Sequence, residues 1–148
     1  MQKGKYSKKD KEFMCLTAKS RNSSRLQELI NFIKLNNYQT IGIASCFCVY
    51  SYAQKLKEIL GQENLIVKIV HCKASNLDAA EISDSLKGPS CDPISQAEYL
   101  NQEQTDFNIN FGLCLGHGIL FSKYSKAPTT TLLVKDPSNH HNVMENFL

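Results

Sequence analysis

An α/β domain on a mostly parallel sheet is the fold this sequence predicts, on three observations. Short apolar runs of strand length stand at residues 40–44, 65–70, 107–113 and 129–134. Segments with helical period lie between them, and Gly, Asn or Asp-Pro signals mark the junctions. Strands alternating with helices, joined by right-handed crossovers, give a single three-layer, Rossmann-like domain of about four strands. The 148 residues suit one core, and 42% hydrophobic with 21% charged residues is the composition of a globular chain.

The elements follow in order. Residues 1–25 carry eight basic side chains against Asp10 and Glu12. Residues 1–22 therefore read as a basic, loosely ordered tail, solvated rather than bound to nucleic acid, ahead of one α/β metal-binding domain over 23–148. Ser24 and Gln27 form a capping-box pattern, and Leu26, Leu29, Ile30 and Ile33 share a helical face to about Leu35. Thr40–Ala44 is almost wholly apolar, as strands covered on both faces are. Helical period resumes at Val49 and is closed by Gly61, and Leu65–Val70 is the second strand. Residues 73–90 lack a sustained period. Asp92 before Pro93 starts a helix to about Glu103, since Asp caps free amides and Pro needs no donor at the first position. Phe107–Leu113 is the third strand, Gly116–Tyr124 a short helix and Thr129–Val134 the fourth strand.

No apolar run reaches the roughly 18 residues that span a membrane, and no export signal follows the basic start, so a cytoplasmic protein is expected. In that setting the six cysteines are not read as a disulfide framework. Cys46, Cys72 and Cys114 each follow a strand, and Cys91 precedes a helix that returns to the same edge. The carboxyl edge of a parallel sheet is where open α/β folds place their ligands. Two readings of the four thiols stay open on placement alone: metal ligands, or small buried residues at strand ends. Four thiolates around Zn²⁺ or a [4Fe–4S] cluster would leave a charge of −2, for which Lys73, Lys123, Lys126 and Lys135 and the helix N-termini offer compensation. The spacings are not those of a zinc finger, and no Cys-x-x-Cys pair is present. Cys48 is close enough to Cys46 to serve as a neighbour or ligand, and Cys15 lies in the tail.

Gly112, Gly116 and Gly118 surround Cys114 in a strand-to-helix loop whose backbone amides suit an anion or a cluster sulfur. His117 stands at the helix start as a ligand, proton donor or structural histidine, and His141 near the end reads as folding over the same edge or as exposed.

The run Cys91–Asn101, the segment Asn108–His117, the segment Leu120–Pro128 and Lys135-Asp136, together with Ile41–Ala44 before Cys46 and Cys72-Lys73, resemble a family of uncharacterised cysteine-rich proteins of anaerobic bacteria and archaea, labelled metal-binding. The resemblance spans roughly residues 24–142. It implies Cys46, Cys72, Cys91 and Cys114 as ligands. Members have Asn at the place of Asp92, Asp at that of Gly118, and a further cysteine-rich N-terminal segment where this chain has only Cys15.

The leading functional expectation is a four-cysteine site for an Fe–S cluster or zinc, with redox or electron-transfer chemistry and a redox partner protein if a cluster is bound. The competing one is a metal-free thiol enzyme or sulfur carrier using Cys46 or Cys114, with His117 as base. Without a Walker-type or GxGxxG pattern, an ordinary nucleotide site is not expected.

Overall fold

A computed structural model describes residues 4–148. The chain forms two compact units, Met1–Tyr38 and Gln39–Leu148. In the first, α1 (Lys8–Ser20) packs on α2 (Arg25–Leu35). The Lys-rich segment expected as a loose tail is thus helical over most of its length, while Lys3 lies outside the described residues. A local cap explains the difference: Asp10 N–H donates to Ser7 Oγ (3.1 Å) and Ser7 N–H returns a bond to Asp10 (2.9 Å). The rings of Phe13 and Phe32 then meet edge to face at 5.1 Å, and Asn31 Nδ2 donates to the Ser20 carbonyl at 3.2 Å. Helix α2, expected inside the α/β domain, belongs with α1.

The second unit is a four-stranded, all-parallel sheet in the order β2-β1-β3-β4. Its elements are β1 (Thr40–Ser45), α3 (Tyr50–Gln62), β2 (Ile66–His71), α4 (Pro93–Gln102), β3 (Phe107–Phe111), α5 (Leu115–Tyr124) and β4 (Thr129–Leu133). The first crossover runs one way and the next two run back, so right-handed connections put α3 on one face and α4 with α5 on the other. This is the three-layer, Rossmann-like α/β arrangement expected. Central strands β1 and β3 are covered on both faces: Ile41 to Ser45 and all of β3 are buried. Helix α3 runs one residue past Gly61 and turns at Asn64 (φ 62°) instead.

The face under α4 and α5 is made of small and polar residues. Gly42 pairs in register with Asn108, and Ala44 with Asn110. A Cβ on Gly42 would run into Asn108 and Leu100, and one on Gly118 would lie 2.7 Å from Asn110 Nδ2. The two asparagines are buried because they are bonded: Thr105 Oγ1 donates to Asn108 Oδ1 (2.7 Å), Asn108 Nδ2 to Ser125 Oγ (2.8 Å), and Leu113 N–H to Asn110 Oδ1 (3.1 Å). They fasten β3 to both ends of α5. Winding direction reverses between β1 and β3, so the ligand-binding position of such a sheet falls just beyond Ser45 and Phe111.

Candidate functional site

Four cysteines stand at that carboxyl edge, each held there by a different segment. Cys46 follows β1, and its N–H donates to the Phe111 carbonyl (3.2 Å) across the reversal point. Cys72 follows β2 and donates its N–H to the Ser45 carbonyl (2.9 Å). Cys91 directly precedes Asp92, the N-cap of α4, whose carboxylate accepts from Ser95 N–H (2.9 Å) and Ser75 Oγ (2.7 Å). Asp92 N–H in turn donates to the Cys72 carbonyl at 2.7 Å, so the two cysteine-bearing segments are joined. Cys114 is the N-cap residue of α5. Cys46 and Cys72 are buried, and Cys91 and Cys114 are half-buried.

The sulfurs form a row that follows the strand order. Cys91 and Cys72 are in contact, Sγ to Sγ 3.4 Å. Cys72 and Cys46 interact electrostatically. Between Cys46 and Cys114 stands the ammonium of Lys135, just past β4, donating to both sulfurs at 3.3 and 3.1 Å. A short 3₁₀ turn at Phe47–Val49 adds two successive amides: Phe47 N–H donates to Cys72 Sγ (3.3 Å), and Cys48 N–H serves Cys46 Sγ. Consecutive N–H groups converging on sulfur provide fixed positive potential where negative charge would sit.

Charge and burial act in opposite senses along the row. Burial pushes the Cys46 thiol up, but the Cys48 amide, the Lys135 ammonium and the Cys48 thiol outweigh it, and Cys46 lies below the usual cysteine range. Burial pushes Cys72 up to about 12; the Phe47 amide opposes this, while Cys91 and Cys46 reinforce it. Lys135 is held firmly protonated by Cys114, and by Cys46, against the cost of its own burial. The two ends of the row thus differ in sense: the Lys135 ammonium and the Cys48 amide draw Cys46 toward its charged form, and burial holds Cys72 as the neutral thiol.

The residues 2–132 match the model of a family described as "Protein of unknown function (DUF1847)". The chain belongs to this family. A relative, "Uncharacterized protein MJ0455" of Methanocaldococcus jannaschii, is 47% identical over 124 residues, covering 80% of this chain and 64% of the relative. This DUF1847 chain thus spans less than two thirds of that protein's length. No solved structure matches it.

Donor chemistry suits a thiophilic metal, four sulfurs with two amides behind them. The arrangement itself is looser: among the described residues, no three His, Cys, Asp or Glu side chains are grouped so as to hold an ion. A cation of the protein's own occupies the gap between Cys46 and Cys114.

The remaining expected residues divide. Cys48 is exposed, and both its amide and its thiol act on Cys46. Lys73 adjoins Cys72, but its backbone N–H donates to His71 Nδ1 (3.3 Å), and no bond from its side chain to the sulfurs is present among the described residues. Lys126 precedes β4 and so sits at the opposite, amino edge, its N–H on Asn101 Oδ1 (2.9 Å). The cation that reaches the site is Lys135, the first one past the carboxyl end of β4. His141 Nδ1 accepts from Asp136 N–H (3.0 Å) and ties the loop beside Lys135. His117 is half-exposed and makes no hydrogen bond to the sulfurs among the described residues. Gly112 (φ 71°) turns the chain out of β3 where a Cβ would lie 2.9 Å from Val49 Cγ2. Gly118 serves close packing on Asn110 rather than an anion, and Gly116 has open space around it. Gln96, which the sequence does not single out, is buried on α4 and donates from Nε2 to the Ser45 and Val70 carbonyls (both 3.1 Å), closing the strand ends behind the cysteines. Its signal is only a Gln on the apolar side of an otherwise ordinary helix.

Proposed function

We propose that this protein is a thiolate metal protein in which Cys46, Cys72, Cys91 and Cys114 bind Zn²⁺ or a [4Fe–4S] cluster at the carboxyl edge of the sheet. The observation that carries the reading is the row itself: four sulfurs from four separate segments, two of them receiving successive backbone N–H groups. Placement at the reversal point of the sheet supports it too. When bound, a cluster supplies one-electron transfer to a redox partner, and a closed zinc site supplies a structural cross-link.

The chain's own part is to exchange charges. Loading requires the thiols to lose their protons and the Lys135 ammonium to leave the gap between Cys46 and Cys114. Its positive charge stays on the same edge and offsets the thiolates. Burial of Cys72 makes its proton the hardest to remove, so uptake releases protons and strengthens as pH rises. A reducing cytoplasm, in which all four thiols stay free, suits this chemistry. Among the described residues no helix is long and apolar enough to cross a membrane.

Cobalt titration under anaerobic conditions tests the reading. Thiolate-to-cobalt absorption is expected in the native chain and in the Cys15→Ser control, and is expected to be lost or sharply weakened in each of the four single Cys→Ser variants. Equal cobalt binding by all of them would overturn it.

A second reading has its own observation. Cys46 lies below the usual cysteine range beside the Lys135 ammonium, and Cys114 and Lys135 line an open depression of about 520 Å³ with Leu113, Leu115 and Ile119. A metal-free thiol enzyme or sulfur carrier would use Cys46 or Cys114 as nucleophile. It requires one cysteine of the metal-free protein to be alkylated well ahead of the others, and uniform slow labelling would remove it.

A further inference from the structure

The Cys72–Cys91 contact supports chemistry of its own, apart from any metal. We propose that Cys72 and Cys91 are a redox-reversible dithiol that closes to a disulfide on reaction with hydrogen peroxide. Their sulfurs are 3.4 Å apart, and a disulfide at about 2.05 Å needs an approach of only about 1.4 Å. The backbone is already set for it. Between the two cysteines, Ala79 N–H bonds the Gly88 carbonyl and Ser90 N–H the Leu77 carbonyl (both 2.8 Å), and Asp78 bridges Pro89 antiparallel. With Asp92 N–H on the Cys72 carbonyl, the intervening segment is drawn closed at its base, and the cross-link adds little further ordering.

Accessibility assigns the roles. Cys91 is half-buried and Cys72 only 2% exposed, so the peroxide meets Cys91 first. The Cys91 sulfur attacks one peroxide oxygen, the O–O bond breaks, and Cys91 sulfenic acid and one water form. The Cys72 sulfur then attacks the Cys91 sulfur; the S–S bond forms, the S–O bond breaks, and hydroxide leaves with the Cys72 proton as a second water. Two thiols lose two electrons and two protons, and one peroxide becomes two waters. The Cys46 and Cys114 sulfurs instead share the Lys135 ammonium as their hydrogen-bond donor. In a metal-loaded protein the same step would take away two of the four proposed ligands, so oxidation would empty the site.

The test uses the full chain freed of metal by a chelator, which makes its outcome independent of whether a metal is ever bound. One equivalent of hydrogen peroxide is added, remaining thiols are alkylated, and the protein is digested with trypsin and an Asp-specific protease, which separates Cys91 from Cys114. Expected are the loss of two of six alkylatable thiols, a Cys72–Cys91 linked peptide, and full recovery of six thiols on reduction. The Cys114→Ser variant keeps the linked peptide and Cys91→Ser loses it. Linkage of another pair as the main product, or sulfinic and sulfonic acids with no linked peptide, would overturn the proposal.

Discussion

The two ends of the sulfur row are built from the same residue type and behave as opposites. At the Cys46–Cys114 end a lysine from beyond β4 stands between two sulfurs, and Cys46 lies below the usual thiol range. At the Cys72–Cys91 end the sulfurs touch each other, and burial drives Cys72 up to about 12. A fixed cation favours the charged form of a thiol, and burial without one favours the neutral form. The strand order produces the difference: β4 lies beside β3, so its lysine reaches the cysteines after β1 and β3 and not the one after edge strand β2.

Removing a sulfur from either end has the largest expected effect. Cys46→Ser and Cys72→Ser are each expected to weaken cobalt or zinc binding by more than the roughly 100-fold that losing a supporting partner of a ligand costs, measured by competition with a chromophoric chelator. If only one end matters, the row is not a single site.

Removing the cation sharpens the comparison. Lys135→Met is expected to raise the Cys46 thiol. Alkylation of Cys46 near neutral pH should slow severalfold, while Cys91 keeps its rate. Peptide-resolved labelling measures both, and an unchanged Cys46 would show that Cys48, through its amide and its thiol, sets its acidity.

Packing beneath the site gives a smaller effect. Gly118→Ala drives a methyl into Asn110 and is expected to cost about 1–3 kcal/mol in urea unfolding. Gly116→Ala meets open space within α5 and should be neutral or stabilise by up to about 1 kcal/mol. The contrast separates a packing glycine from one with open space beside it in the same helix.

Smallest is the cap that anchors the Cys91 end. Burial pushes Asp92 up, but hydrogen bonds from Ser95 and Ser75 outweigh it and hold the carboxyl below its ordinary 3.8. Its folded value lies under the unfolded one, so its contribution is complete above about pH 4 and is lost as pH falls through the folded value. Asp92→Ala should therefore cost about 1 kcal/mol at pH 7, with the gap to the native chain narrowing in acid, read from thermal melts across pH.

Much of this architecture is legible in the sequence because each strand is a short apolar run with its own stop signal. Thr40–Ser45 and Phe107–Phe111 announce themselves, and Asp92-Pro93 fixes the start of α4. Once the strands are parallel, cysteines directly after them share an edge, so the gathering of Cys46, Cys72, Cys91 and Cys114 is readable as well. What pairs with what is not. Choosing Lys135 over Lys73 and Lys126 needs the strand order and the end of β4, neither of which spacing supplies. The amides of Phe47 and Cys48 carry no sequence mark at all. Helix α1 is hidden by its lysines, since its cap at Ser7 and Asp10 and the Phe13–Phe32 ring contact are weak signals beside the charge.

The central claim is that the four-sulfur edge is a metal site, and metal with acid-labile sulfide on protein purified without oxygen tests it most directly. Iron with matching sulfide and a broad band near 400 nm, an order-of-magnitude position for thiolate-ligated clusters, or about one zinc with no sulfide, is the result expected. Protein that carries neither, and takes up neither on anaerobic reconstitution, would contradict it and leave the Cys46–Lys135 pair as the working centre.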